Sequence, residues 1–168
     1  MLNIEVNRSQ AKLYLLALLA MCAVILTTLA FQHIGGYQPC KLCYQQREPW
    51  YFAIPVMAIA TLSAFNGWPA CLTRGAALIG ALTMAFSVVL AVHHSGVEWQ
   101  WWEGPGDCGL VEGGIAKSTG GLLSQLETVV PPSCDAAPGR FLGLSFAGWN
   151  AIASFALGLF TLNLAFKK

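Results

Sequence analysis

The sequence predicts an all-α fold, a four-helix transmembrane bundle with a long extracytoplasmic loop between its third and fourth helices. Composition is the first reason. Of 168 residues, 56% are hydrophobic and 10% charged, whereas soluble domains carry roughly 25% charged residues. Charge distribution is the second. Residues 13–31, 50–65, 75–92 and 141–166 contain no Asp, Glu, Lys or Arg, and a bilayer core about 30 Å thick takes roughly 20 apolar helical residues. The chain therefore reads as one integral membrane domain over residues 1–168, with spans at 13–31, 50–66, 75–92 and 143–166 and outer loops at 32–49 and 93–142.

The first span follows Arg8 and Lys12. Its apolar run exceeds the roughly 7–15 residues of a signal-peptide core, so it reads as a span rather than a cleaved leader. The second run is short, but the uncharged stretch continues over residues 49–73, interrupted by Asn66-Gly67-Trp68-Pro69, a turn signal. Trp99, Trp101 and Trp102 cluster just past the third span, where an interfacial aromatic belt is expected. In the loop that follows, Gly104-Pro105-Gly106 and Pro131-Pro132 mark turns. Between them Leu122, Leu123, Leu126 and Val130 recur at the spacing of a short helix lying on the membrane surface.

Four spans place the first and third loops on one side, whichever way the chain is oriented. Lys and Arg set that orientation. The termini and the second loop carry Arg8, Lys12, Arg74, Lys167 and Lys168; the far longer outer loops carry Lys41, Arg47, Lys117 and Arg140. Both termini are thus expected in the cytoplasm, with the outer loops in an oxidising compartment where disulfides persist. A net charge of +1 and the lack of a basic cluster exclude a nucleic-acid partner.

Those outer loops hold four of the six cysteines: Cys40 and Cys43 in the first, Cys108 and Cys134 in the third. A C-x-x-C pair serves redox chemistry or half of a zinc site. Zinc needs a second close pair or spaced histidines, whereas 64 residues separate Cys43 from Cys108 and His93 and His94 are adjacent; no metal site is expected. Thiolate character needs a cation or a helix N-terminus nearby. If residues 43–47 are helical, Arg47 lies on the face of Cys43 and would favour its thiolate, although Pro49 threatens that helix. His94, directly after the third span, is a candidate to share the site. Cys108 and Cys134 read equally as a structural staple or as the second pair of a thiol–disulfide relay. Cys22 and Cys71, in a span and near the inner turn, read as reduced and inert.

Cys40-Lys41-Leu42-Cys43 followed by Gln46-Arg47, then His94-Ser95-Gly96-Val97-Glu98-Trp99, and Phe141-Leu142-Gly143-Leu144-Ser145 after Cys134, together resemble the disulfide bond formation protein B (DsbB) family of bacterial inner membranes. The resemblance covers nearly the whole chain. It implies a quinone-dependent thiol oxidase that reoxidises a periplasmic thioredoxin-fold DsbA-type oxidase and passes the electrons to ubiquinone or menaquinone. It further implies redox-active disulfides Cys40–Cys43 and Cys108–Cys134. Cys108 would receive the partner's attack, Cys134 would exchange with Cys40, and Cys43 would face the quinone beside Arg47 and His94. The register of His93 and His94 is open by one residue. A quinone acceptor also makes energetic sense, because DsbA-type couples sit near −120 mV, beyond the reach of glutathione. Gly113-Gly114 and Gly120-Gly121 depart from the family's loop and bear on partner recognition. Two other readings are a quinone reductase similar to vitamin K epoxide reductases and a non-enzymatic, disulfide-stapled membrane subunit.

Overall fold

The structure, a computed structural model, describes residues 8–105, 134, 135, 137 and 139–167. Cys108 and the surface helix expected over residues 122–130 lie outside the described residues. In chain order the elements are α1 (Arg8–His33), α2 (Lys41–Gln45), α3 (Glu48–Phe65), α4 (Ala70–Glu98), β1 (Arg140–Phe141), β2 (Leu144–Ser145) and α5 (Phe146–Phe166).

Three of the described helices are long and apolar enough to cross a membrane: α1 from Gln10, α4 and α5. The expected second span is helical as α3. It has 18 residues, about 27 Å of rise, but it opens on Glu48-Pro49-Trp50-Tyr51 and falls outside that group.

Two of the differences from the expected boundaries bear on the site. α4 does not stop at Val92 but continues to Glu98, carrying His93, His94 and Glu98 on helical turns rather than in a loop. Helical hydrogen bonding is indifferent to where the apolar run ends, so the helix outlasts it. At the other end of the long loop, residues 143–145 are not helical. Leu142 (φ 52°) and Gly143 (φ 83°) form the turn of a two-residue hairpin between β1 and β2, a conformation that hairpin twist requires and glycine adopts freely. α5 starts only after Ser145, whose hydroxyl accepts the Gly148 N–H at 3.2 Å as an N-cap.

α4 packs against both α3 and α5, and α1 against the same two helices. Tyr14, Met21, Trp50, Met57 and Met84 are fully buried between them. Small residues bring the axes close: a Cβ on Gly80 of α4 would lie 3.0 Å from the Met57 sulfur of α3. Polar bonds link the same faces, Ser63 to Thr73 at 2.7 Å and Ser87 to Ser154 at 2.8 Å. Leu16, Leu26, Phe86, Val89 and Phe155 point outward. Small residues inside and large apolar ones outside are what a lipid-facing bundle shows.

Candidate functional site

The site forms where α2, the end of α4 and the start of α5 meet. Cys40 follows Pro39 and is extended (φ −78°, ψ 174°) as the N-cap of α2, its sulfur accepting the Cys43 N–H at 3.3 Å. The two sulfurs lie 2.8 Å apart as a hydrogen-bonded dithiol. α2 ends after one turn. Pro49 lacks an N–H and cannot continue the ladder, so Gln46 closes α2 and Arg47 becomes the N-cap of α3, with Pro49 in the first turn where proline is tolerated. The single helix over residues 43–47 that would set Arg47 on the face of Cys43 is therefore broken. The Arg47 guanidinium donates to Gln32 Oε1 of α1 and sits 5.5 Å over the Tyr44 ring.

The two thiols differ sharply. The hydrogen bond from Cys43 pushes Cys40 down to about 5 from 9.0, against the opposing effect of burial; contact with His94 and the Cys43 N–H add to the lowering. Cys43 is raised, first by its hydrogen bond to Cys40 and then by burial; the charge of Arg47 lowers it, but as the smallest of the contributions. The direction of both shifts favours the anion at Cys40 over Cys43 in the reduced pair.

His94 reaches this pair from α4. It is buried, with Nε2 3.7 Å from Cys40 Sγ and 3.9 Å from Glu98 Oε1 one turn further along. His93 instead faces outward and stacks on Trp102. Trp102 fits there because residue 96 is glycine: any Cβ would collide with its indole. Glu98 Oε2 is buried with no hydrogen-bond partner among the described residues.

Cys134 packs into the same small buried cluster as Cys40, Leu42 and Val97, with Cys43 against it. It is disulfide-bonded. The fold thus brings together Cys40, Cys43, Cys134 and His94, while Arg47 shares a cavity with Cys43.

That cavity has a volume of about 530 Å³, within the range of small-molecule sites. Val24, Phe31 and Phe146 supply apolar wall, and Cys43, Gln46 and Arg47 are among its polar members. A flat apolar ring bearing carbonyl oxygens, such as a quinone, fits this chemistry: apolar walls for the ring, with a cation and an amide for the oxygens. A metal was not expected, on the ground that no histidine lay at ligand spacing along the chain. In space, however, the ligand atoms of Cys40, Cys43 and His94 all lie within 4.8 Å of one another, a donor set that suits thiol exchange and a soft divalent ion alike.

Sequence reasoning gave no role to Gln46, Trp50, Glu98 or Asn150. Asn150 left a signal: it is an amide inside a charge-free span, a costly placement that can mark a site. It accepts from Trp50 Nε1 at 3.0 Å and donates to Gln46 Oε1 at 2.7 Å.

Fold and site together define an apolar helical protein with a close pair of free cysteines, Cys40 buried and Cys43 half-buried, contacted by a histidine. Residues 10–164 match the family described as disulfide bond formation protein DsbB, and the chain belongs to that family. Among similar curated proteins, a disulfide bond formation protein B of Polaromonas naphthalenivorans is 30% identical, covering 94% of this chain and 93% of the relative. One of Verminephrobacter eiseniae is 29% identical over 95% and 88%, and a disulfide bond formation protein B 2 of Pseudomonas entomophila is 28% identical over 89% and 87%. No solved structure matches the chain. Membership makes it an oxidoreductase of disulfide bond formation.

Proposed function

We propose that the protein reoxidises a periplasmic DsbA-type dithiol oxidase and delivers the electron pair to membrane quinone. The observation that carries this reading is the burial of Cys134 in one cluster with Cys40 and Cys43, with Cys43 also lining the 530 Å³ cavity. The chain lies in the bacterial inner membrane with four spans, α3 serving as the second, both termini cytoplasmic and the cysteines periplasmic. The Lys and Arg bias supports that orientation.

In this reading a partner thiolate attacks Cys108 of the Cys108–Cys134 disulfide and Cys134 leaves as thiolate. Cys134 then attacks Cys40 of the Cys40–Cys43 disulfide, and Cys43 is the leaving group. Once Cys40 is bonded to Cys134 it no longer hydrogen-bonds Cys43 as a thiolate. The largest cause holding Cys43 up is then gone, and the Arg47 charge is left to oppose burial. Cys43 presents its sulfur to the cavity at that moment. Attack by the second partner thiolate on the Cys108 mixed disulfide frees the oxidised partner, and the Cys108 thiolate then attacks Cys134, which re-forms Cys108–Cys134 and releases Cys40. With Cys40 and Cys43 both reduced, quinone held by Arg47, Gln46 and the apolar wall would take up their two electrons and two protons as the Cys40–Cys43 disulfide re-forms.

Purified protein mixed with reduced DsbA-type partner and ubiquinone tests the proposal. Partner oxidation should require quinone and vanish in Cys40→Ser. Oxidation that is independent of quinone, or unchanged in Cys40→Ser, would overturn it. A partner that lacks its second thiol should accumulate as a mixed disulfide on Cys108, because nothing then displaces it.

A further inference from the structure

We propose that a hydrogen-bond relay from α3 and α5, Trp50 to Asn150 to Gln46, holds His94 as the tautomer with its proton on Nε2, aimed at Cys40, which makes Asn150 a positioning residue of the thiol centre. This deepens the proposed function, resting on it for its consequence but not for its test.

The direction of every bond follows from one group that has no choice. An indole N–H can only donate, and Trp50 Nε1 lies 3.0 Å from Asn150. The atom it meets must be the carbonyl Oδ1, which also accepts from Ser154 Oγ at 3.4 Å. Asn150 therefore turns its Nδ2 the other way, where Gln46 lies at 2.7 Å. The Gln46 atom that accepts must be Oε1, so its Nε2 points at His94 Nδ1, with which it is hydrogen-bonded. An amide NH₂ cannot accept. His94 Nδ1 is consequently the acceptor, and the ring's proton sits on Nε2.

That proton faces Cys40 Sγ at 3.7 Å and Glu98 Oε1 at 3.9 Å. The ionisable groups around the ring are Cys40 from the N-cap of α2, Cys43 beside it and Glu98 on α4 itself; Arg47 lines the same cavity but is engaged by Gln32. With the opposite tautomer a bare ring nitrogen would face the Cys40 thiolate, acceptor against acceptor. Trp50 is fully buried, Gln46 and His94 are buried and Asn150 is half-buried, so every polar atom that sets the order is held by a protein partner. α3, α5 and α4 thus impose on Cys40 a donor that α2 alone does not supply. Ser154 continues the chain to Ser87 of α4 at 2.8 Å, which ties the relay into the helix packing.

Nitrogen NMR of histidine-labelled, detergent-solubilised protein tests this directly, with His94→Gln assigning the signal. The expected result is an unprotonated Nδ1 and a protonated Nε2 at neutral pH. A proton on Nδ1 in the wild type would overturn the proposal, whatever the outcome of any activity assay. Gln46→Glu, nearly isosteric, replaces the donor with a carboxylate that accepts, and should move a proton onto Nδ1. An unchanged Nδ1 signal in a folded Gln46→Glu protein would equally overturn it. Asn150→Ala leaves Gln46 free to turn, and should shift the pH profile of Cys40 alkylation upward by about one unit, the size of one lost hydrogen bond. Asn150→Ser, which keeps a hydroxyl between Trp50 and Gln46, should restore part of that shift. A purely structural role for Asn150 would lower stability without moving the profile, and that result too would refute the assignment.

Discussion

Cys40 stands at the N-terminus of α2, where a sulfur meets an unsatisfied backbone N–H and the positive end of a helix. Its second thiol neighbour and a histidine complete an environment that favours the anion. Reduced protein should therefore be alkylated at Cys40 at a rate that is flat above about pH 6 and falls tenfold per unit below about 5, while Cys43 stays unreactive through neutral pH. Mass spectrometry of the alkylated peptide distinguishes the two. The sign for stability follows. Between about pH 5 and 9.0 the folded state binds fewer protons at Cys40 than the unfolded chain does, so this thiol stabilises the reduced protein increasingly across that window. The contribution is lost as pH falls through about 5. Oxidised protein, whose Cys40 does not titrate, should show a correspondingly flatter dependence of melting temperature on pH. His94→Ala should move the Cys40 alkylation midpoint upward, since the histidine contact is one of the causes that lower it.

At the scale of elements, the α3–α4 contact is the most sensitive joint. Met57 fills the space that glycine leaves at position 80, and Ser63 bonds Thr73 beside the turn that joins the two helices. Gly80→Leu would place a branched side chain where a Cβ already meets sulfur at 3.0 Å. Overpacking of that kind costs about 1–3 kcal/mol, to be read as a lowered melting temperature in detergent. Displacing α3 also carries Trp50 away from Asn150, so the relay should fail with it. The Ser87–Ser154 bond is a weaker link. Ser87→Ala should cost about 0.6 kcal/mol, the average for interhelical bonds in a membrane protein.

For the whole molecule, the arrangement of ends matters most. Arg74 and His94 lie on the same helix, about 30 Å apart by helical rise, which is the thickness of a bilayer core. Arg74 donates to the Lys167 carbonyl at 3.1 Å at the α5 C-terminus, whereas His94 sits with the cysteine pair. Cys71, an exposed free cysteine near Arg74 in sequence, therefore reports on the end opposite Cys40. In sealed vesicles with the periplasmic face outward, a membrane-impermeant maleimide should reach Cys71 only after the membrane is opened. Labelling of Cys71 in intact vesicles would reverse the proposed orientation.

Charge-free runs and a C-x-x-C were enough to determine an apolar helical chain and a thiol centre, because lipid exclusion and sulfur chemistry leave marks on composition and spacing. The motif residues after the third run identified His94, but not why it mattered or that its neighbour His93 faces away. Those followed from the length of α4, which carries both beyond the apolar run and turns them by helical geometry to different sides. Arg47 was legible as a cation near Cys43, yet its geometry was not, since Pro49 broke the helix that would have aligned them. The packing of Cys134 against Cys40, and the line from Trp50 through Asn150 and Gln46 to His94, were decided by tertiary structure alone. Each joins positions some 50 to 100 residues apart, and no periodicity in one segment records a hydrogen bond made to another.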